Sequence, residues 1–376
     1  REWLNSLKLR ASYGAVGNSA IDPYQTIAGL SKYDYLFGED AGNKFFAYRP
    51  SMIPNKDLGW EISRTANFGV DFGLWNNRIS GYIEGYITKT SDLLMERTLP
   101  FFTGFSKVWQ NIGKTENKGI ELNIQANTLK TKSFSWETTV TFARNWNKIT
   151  ELLGGGDIRN NSWFIGKPLQ VHYNYEMIGV WQLGEEKEAQ KYGAIPGDIK
   201  VKDQNNDGSI GELDKVILGQ KDPKIIASLL NSFRFGAFDA SINLNMNFGS
   251  LIHPNTYASL ITRDGLRWMP SNFKYWTPDN PTNEYTRADK LSGYDPFAGT
   301  GGYMKGDYIK IQDITLGYDF SKIMPKNWKI LRARLYAQVR NLGYIYKACK
   351  NDVSPEAPDF DYNIPTTYTM GINIDF

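Results

Sequence analysis

The chain has 376 residues, of which 14% are aromatic and 41% hydrophobic, and its formal net charge is +3. So small a charge gives no reason to expect a nucleic-acid partner, and a single cysteine, Cys349, excludes a disulfide framework and a cysteine-based metal site. No run approaches the roughly 18 to 20 apolar residues of a membrane helix, which excludes a helical membrane protein.

Regular alternation of apolar and polar residues predicts ten β-strands. In chain order they cover residues 7–13, 66–74, 79–88, 120–126, 134–142, 225–235, 238–248, 308–320, 331–339 and 368–376. The short polar turn between the fourth and fifth of these makes them an antiparallel hairpin. In the eighth, the apolar side chains jump from Ile311 to Ile314, and this spacing predicts a β-bulge near Gln312.

The faces of these strands leave two interpretations open. The apolar residues alternate with Glu, Asn, Gln and Thr, which suits either a half-buried strand of a soluble sandwich or a strand of an outer-membrane barrel with a wet lumen. Strand length favours the barrel. Runs of about 9 to 11 residues can cross a bilayer, whereas strands of soluble proteins are usually about 5 or 6 residues long.

The connections between the predicted strands alternate strictly between long and short. The long ones cover residues 15–59, 91–117, 148–222, 249–307 and 341–365. Up-and-down outer-membrane barrels keep this order because cell-surface loops are long and periplasmic turns are short. The sequence therefore predicts an all-β fold: an antiparallel up-and-down transmembrane β-barrel segment of about ten strands with long extracellular loops.

The longest connection, 148–222, is far beyond an ordinary loop, and its length marks it as functional. It contains a candidate for a polar helix near 185–192. The second large loop, 249–307, is rich in aromatic residues and prolines. Loop tryptophans could stack on sugar rings or pack the loops against themselves. They are Trp163, Trp181, Trp268 and Trp276.

Residues 203–214 have the spacing of an EF-hand-type calcium loop, with Gly208 at the sixth position for the sharp turn. The predicted ligands, at the first, third, fifth, seventh and twelfth positions, are Asp203, Asn205, Asp207, Ser209 and Asp214. Such oxygen ligands suit Ca²⁺ and not zinc, which prefers nitrogen and sulfur. The last ligand is Asp rather than Glu, and no helix precedes the loop. A turn that binds nothing is the alternative to a structural calcium site.

Several stretches of the chain resemble the SusC/RagA-like TonB-dependent outer-membrane transporters. They are residues 7–14 (LKLRASYG), 55–61 (NKDLGWE), 111–113 (NIG) with 117–122 (NKGIEL), 197–200 (GDIK) followed by 203–208, and 306–310 (GDYIK). They span nearly all of the chain in the order of the family. The resemblance implies the C-terminal part of a larger barrel of the 22-stranded, plugged-lumen kind.

The same resemblance implies a function and its partners. Such a transporter imports large nutrients, oligosaccharides or peptides, with a SusD-like surface lipoprotein as lid and TonB as the energy supply. Residues 1–376 would then be one part of a transporter in the cell outer membrane, in contact with lipid. The N-terminal plug, the region that binds TonB and the earlier strands would belong to the missing N-terminal half.

Two functions from other classes are the alternatives. One is a soluble calcium-binding β-sandwich that acts as a carbohydrate-binding module, and the other is an outer-membrane barrel enzyme. The two histidines, His172 and His253, lie in predicted loops with no serine or cysteine motif beside them. The sequence therefore predicts no catalytic residues and no enzymatic activity.

Overall fold

A computed structural model describes residues 3–19, 26–27, 29–36, 44–261, 273–287, 297, 299–325, 330–359 and 364–376. Within these residues ten long strands form one antiparallel sheet, and each strand pairs with its neighbours in chain order. They are β1 (Leu4–Asn18), β2 (Glu61–Leu74), β3 (Ile79–Ser91), β4 (Lys114–Lys130), β5 (Phe134–Glu151), β6 (Ile225–Phe235), β7 (Phe238–Phe248), β8 (Tyr308–Asp319), β9 (Arg332–Lys347) and β10 (Thr367–Asp375). The predicted fold class is confirmed.

The strand bounds agree best in the middle of the chain, where β6 and β7 begin and end at the predicted residues. Most of the other strands are longer than predicted, whereas β8 ends one residue earlier and β10 is shifted by one residue. β4 has 17 residues and β5 has 18. Their extra residues at the loop end are mostly charged or polar on both faces, so the apolar alternation stops there while backbone pairing continues. β9 also runs on to Lys347, into the predicted connection 341–365, and there its pairing with β8 passes through two register shifts that interrupt the alternation.

The long connections contain short elements of their own. The prediction that 15–59 and 91–117 are loops is wrong where local hairpins form, because their apolar alternation is too short to be recognised. The short strands pair as Leu30–Leu36 with Lys44–Pro50, Leu94–Thr98 with Lys107–Asn111, Val171–Tyr175 with Lys215–Gln220, Met177–Val180 with Ile199–Val201, and Leu251–Ile252 with Met304–Lys305.

Two α-helices lie in the two longest connections. The first, α1 (Glu186–Lys191), confirms the predicted polar helix, and the second, α2 (Asn255–Ile261), was not predicted. Among the described residues, three single-turn 3₁₀ helices cover Phe101–Thr103, Arg159–Asn161 and Glu212–Asp214. No helix among the described residues is both long and apolar enough to span a membrane.

The register of the sheet separates an apolar face from a polar face. Across β6, β7 and β8, Leu229 pairs with Leu244, which pairs with Ile311 on one face. On the other face the Asn243 side-chain amide donates to Asp313 Oδ2 at 3.2 Å. Side chains directly opposite each other share a face, so each row across the sheet keeps one character.

The predicted β-bulge preserves the separation of the apolar face from the polar face. Asn243 pairs with Asp313 and Leu244 pairs with Ile311, which leaves Gln312 as the extra residue of β8. Because side chains alternate along a strand, the apolar residues on the two sides of the bulge would otherwise lie on opposite faces. The bulge keeps Ile311 and Ile314 on the apolar face.

Several charged side chains on the polar face form ion pairs. Arg10 contacts Asp71 and Glu84, both at 2.9 Å, and so ties β1, β2 and β3 together. Arg334 and Asp239 form a second pair between β9 and β7. A polar face with paired charges is what a water-filled lumen allows and a lipid environment does not.

Aromatic residues gather at the short-turn end of the apolar face. Trp136 stacks on Phe233 with 5.8 Å between ring centroids, and Phe238 meets Tyr318 edge-to-face at 4.6 Å. The side chains of Phe235 and Phe238 stay about 60% exposed (63% and 60%) although they are large and apolar. This is the arrangement of an aromatic girdle at one membrane interface.

The separation of the two faces predicts opposite outcomes for neighbouring arginine substitutions in β7. Leu244→Arg places a charge at the middle of the apolar face and should destabilise the complete protein by roughly 2 to 4 kcal/mol. Asn243→Arg places the same charge on the polar face beside Asp313 and should be tolerated. Denaturant titration in lipid vesicles measures both changes. Equal losses of stability would contradict the facing of the sheet.

A second prediction concerns the sheet edges. Within the described residues, β1 and β10 each have one side without a neighbouring strand, and an unpaired edge recruits other chains. Residues 1–376 expressed alone should therefore aggregate in detergent or bind the remaining part of the barrel. Size-exclusion chromatography with light scattering measures this, and a stable, closed, monodisperse ten-stranded monomer would be the contrary result.

Candidate functional site

The two longest connections, 148–222 and 249–307, leave the same end of the sheet and contact each other. Asp198 and Arg287 form an ion pair of 2.9 Å, and the Arg287 backbone N–H donates to the Gly197 carbonyl at 2.8 Å. Gly197 has a φ of +91°, and a Cβ there would lie 2.6 Å from both Arg287 and Trp276. Only glycine permits this close approach of the two loops.

Tryptophans of the two loops take part in the same contact. Trp276 Nε1 donates to Gln182 Oε1 at 2.9 Å. Trp181 stacks on Tyr192 with 6.0 Å between centroids and carries the Lys200 ammonium over its ring at 4.3 Å. Both tryptophans are almost fully buried, so they pack the loops rather than present a surface for sugar rings.

The other two candidate tryptophans differ from these. Trp163 is half-buried in the first loop, and Trp268 lies outside the described residues.

The contact between the loops was not predicted. Residues 197–200 were recognised only as a motif of the family, and their partner Arg287 is far away in the sequence.

A third connection, between β9 and β10, joins this assembly. Asn351 donates to the hydroxyl oxygens of Tyr257 at 2.8 Å and Tyr285 at 3.2 Å. Cys349 and Val353 are buried in one cluster with these two tyrosines. Burial raises the pKa of the Cys349 thiol, so this cysteine has the character of a packed core residue and not of a nucleophile.

A buried ion pair fixes the third connection to the sheet. Lys310 in β8 contacts Glu356 at 2.6 Å, and the Lys310 side chain is only 4% exposed. The hydroxyl groups of Tyr344 and Tyr308 donate to the same carboxylate at 2.8 and 3.3 Å. A buried charge is stable only when it is paired and hydrogen-bonded, so the connection and the strand ends depend on each other.

The two histidines meet in the same loop assembly. His172 Nε2 lies 2.9 Å from the Leu251 carbonyl oxygen, and His253 Nε2 lies 3.1 Å from the Gly301 carbonyl oxygen. Tyr303 contacts both rings, with centroid distances of 5.1 and 4.2 Å. Burial lowers the pKa of His172 to about 4, so the ring is neutral at pH 7. The histidines pack the two loops together.

An open cavity of about 430 Å³ lies beside the two histidines and Tyr303, between the two loops. Its wall mixes polar and apolar groups, including Glu176, Met177, Leu251, Asn283 and Tyr303. The Asn283 side chain is already engaged, because its Oδ1 accepts the Val180 backbone N–H at 3.2 Å. Carboxylate, amide and phenol groups next to apolar surface are the groups that recognise polar organic ligands.

The predicted calcium ligands lie in one turn of the first loop. The two Asp203 carboxylate oxygens accept the backbone N–H groups of Asn206 at 2.6 Å and Gly208 at 2.9 Å. Asp207 accepts hydrogen bonds from Ser209 Oγ at 2.7 Å and Asn205 Nδ2 at 2.8 Å. These bonds hold the pKa of the Asp207 carboxyl below its usual range. Gly208 has a φ of +83°, the sharp turn expected at the sixth position.

The twelfth residue, Asp214, closes the turn through the backbone. Its side chain is 1% exposed, and its oxygens accept the N–H groups of Gln204 at 2.8 Å and Gly211 at 2.7 Å. The turn thus gathers Asp203, Asn205, Asp207 and Ser209, and Asp214 joins them only through Gln204. No cluster of three or more His, Cys, Asp or Glu side chains able to hold a metal occurs among the described residues. The calcium site stays a prediction.

Comparisons with known proteins agree with the fold. The family model of the TonB dependent receptor-like β-barrel matches residues 2–342. TonB-dependent receptor P26 of Formosa agariphila is 28% identical over 100% of this chain and 40% of its own length. TonB-dependent receptor SusC of Bacteroides thetaiotaomicron is 28% identical over 99% of this chain and 38% of its own length.

A solved structure agrees as well. The structure of the RagAB peptide transporter superposes with a TM-score of 0.76 at 22% identity, over 100% of this chain and 41% of that one. This chain therefore spans about two fifths of the length of the proteins that it matches.

These matches confirm the predicted resemblance and the prediction that the chain is not an enzyme, because the relatives are TonB-dependent receptors. The family model covers most of the chain, and the barrel of the family lies in the outer membrane. The chain therefore belongs to the TonB-dependent receptor-like β-barrel family of the outer membrane, as the C-terminal part of a SusC/RagA-like barrel.

Proposed function

We propose that the complete protein imports large nutrients, oligosaccharides or peptides, across the outer membrane with energy from TonB and a SusD-like surface lipoprotein as lid. One observation carries this proposal: a sheet of the SusC-like barrel whose polar face is lined with hydrogen-bonding groups and whose loop end is built from three packed connections. A polar lumen suits a hydrated substrate, and large loops at the surface suit its capture.

The polar face supports this function because it carries groups that form hydrogen bonds. Arg10 holds Asp71 and Glu84, and Arg334 holds Asp239, so these charges are neutralised in pairs, and amides such as Asn243 lie on the same face. A wall of this kind exchanges hydrogen bonds with water or with a passing polar solute at little cost.

The loop end supports substrate capture. The ion pair of Asp198 with Arg287 and the buried cluster around Tyr257 hold the connections in one assembly. The cavity beside Tyr303 offers groups suited to hydroxyls and amides, which oligosaccharides and peptides both carry. The resemblance to SusC/RagA-like transporters supports a SusD-like lid and energy from TonB, and the solved RagAB structure is described as a peptide transporter. Both substrate classes therefore belong in the experiment.

Uptake by the complete protein tests the proposal. Deleting its gene should abolish growth on one class of polymer, oligosaccharides or peptides, as sole carbon source, and the wild-type gene should restore it. Arg287→Ala separates the two loops and should lower uptake several-fold, whereas Arg332→Ala removes the exposed ion pair with Asp319 at the turn end and should leave uptake unchanged. Unimpaired uptake of both classes by the deletion strain would refute the import function.

We also infer that the turn 203–214 binds a structural Ca²⁺ ion. Its five oxygen-bearing residues follow the order of an EF-hand loop, and the sharp turn at Gly208 supports that order. The hydrogen bonds of Asp203 and Asp207 leave further lone pairs on each carboxylate, which can accept a cation as well. Asp214, at the twelfth position, accepts the N–H groups of Gln204 and Gly211 and so fixes the end of the turn.

The calcium proposal predicts a loop that depends on the ion. Adding a chelator to the complete protein should raise the rate of proteolysis within 148–222 several-fold, and excess Ca²⁺ should reverse the change. Asp203→Ala combined with Asp207→Ala should make proteolysis fast and insensitive to chelator. Glu212→Ala is the matched control, because this exposed carboxylate pairs with Lys215 and is not a predicted ligand. A wild-type loop that does not respond to chelator rules the site out.

A further inference from the structure

Basic side chains gather where the apolar face meets the loop end of β2 to β5. We call this group the outer rim. Its basic residues are Arg64, Lys89, Lys114, Lys118, Arg144 and Lys148, and its acidic residues are Glu116 and Glu151. The described side chains of this group are mostly exposed. A surplus of positive charge therefore lies on the outside of the barrel, not in its lumen.

The register places the outer rim directly above the apolar rows. One row across β2 to β5 consists of Ala66, Ile87, Lys118 and Trp146. The next row toward the loops consists of Arg64, Lys89, Glu116 and Lys148. Opposed residues share a face, so these charges continue the same surface that carries Phe68, Ile83 and Leu122 farther down.

The height of the outer rim matches a membrane interface. Phe134 begins β5 at the aromatic turn end, and Trp146 lies twelve positions later. At ~3.3 Å per residue and a tilt of ~40°, this stretch rises roughly 30 Å, slightly more than the apolar band of a membrane barrel, which is ~25 Å tall. Trp146 therefore lies at the second interface, and the Arg144 guanidinium, 4.6 Å from its ring centre, reaches up to the same level.

The acidic residues of the outer rim do not neutralise it. Glu116 contacts both Lys118 at 3.1 Å and Lys148 at 3.2 Å, and Glu151 contacts Lys114 at 2.7 Å. In the part of the chain that the structure describes, no carboxylate forms an ion pair with Arg64 or Lys89. These two side chains line a groove of about 690 Å³, together with Tyr13, Ile87, Lys114 and Glu116, and Glu116 is the carboxylate already held by Lys118 and Lys148.

We propose that the outer rim binds the phosphate groups of anionic lipid headgroups in the outer leaflet. A lipid there would lay its acyl chains on the rows of Ile87 and Phe68 and place its phosphates among Arg64, Lys89 and Lys118. Charge complementarity and the continuity of the rim with the lipid-facing rows both favour this occupant. Tyr13, which pairs with Ala66 on the same outer face, lines the groove beside these cations.

The test uses the complete protein in nanodiscs of neutral phosphatidylcholine, with lipid A added in bis-phosphorylated or fully dephosphorylated form. Native mass spectrometry counts the lipid A retained. The phosphorylated form should bind, and Arg64→Gln, Lys89→Gln and Lys118→Gln together should weaken binding on the order of 100-fold, because each basic side chain contributes about fivefold. Lys167→Gln, Lys187→Gln and Lys274→Gln remove the same charge from exposed loop positions and should leave binding unchanged.

Further measurements keep the result decisive. Heat-modifiable gel migration should show that both triple variants are folded. If the rim variant does not fold, the wild-type protein still tests the proposal, because raising NaCl from 50 to 500 mM should strongly weaken its binding of phosphorylated lipid A. Equal binding of dephosphorylated lipid A, equal loss in both variants, or displacement of the lipid by inorganic phosphate at millimolar concentration overturns the proposal. The proposal is also overturned if the rim variant changes its oligomeric state and retains its lipid, because the outer rim would then be a contact with a second copy of this chain.

Discussion

The backbone of a membrane barrel must satisfy every N–H and C=O within the sheet, since lipid offers them no partner. This requirement explains why all ten long strands pair with their neighbours in one sheet. It also explains the bulge at Gln312. An insertion that shifted the register would expose a polar row to lipid, whereas a local bulge absorbs one residue and keeps Ile311 and Ile314 on the same face.

The same requirement decides how much of the fold could be predicted from the sequence. Inside the bilayer, lipid and lumen impose strict alternation, so β6 and β7 were found with their correct bounds. Beyond the bilayer both faces meet water, and alternation is no longer enforced although the ladder continues. The polar stretch 114–117 of β4 therefore reads as a loop in the sequence and is a strand in the structure.

The loop assembly could be predicted only where its order is local. The turn 203–214 has a fixed spacing of side chains, and α1 has a helical composition, so both were visible in the sequence. The pairs Asp198 with Arg287 and Lys310 with Glu356 join residues that are far apart in the chain. No short-range pattern marks such partners. The wrong expectation of structureless connections at 15–59 and 91–117 has the same origin, because a hairpin is defined by pairing and not by either strand alone.

The strands that extend past the membrane link the two regions physically. β8 and β9 carry Tyr308, Lys310 and Tyr344 at their loop ends, and all three hold Glu356 of the third connection. That connection shares its buried cluster with Tyr257 and Tyr285 of the second loop, which in turn holds the first loop through Arg287. Paired contacts therefore join all three connections to the ends of the strands. The ion pair of Lys310 with Glu356 cannot separate cheaply, because the separation would leave the buried Lys310 charge without its partner.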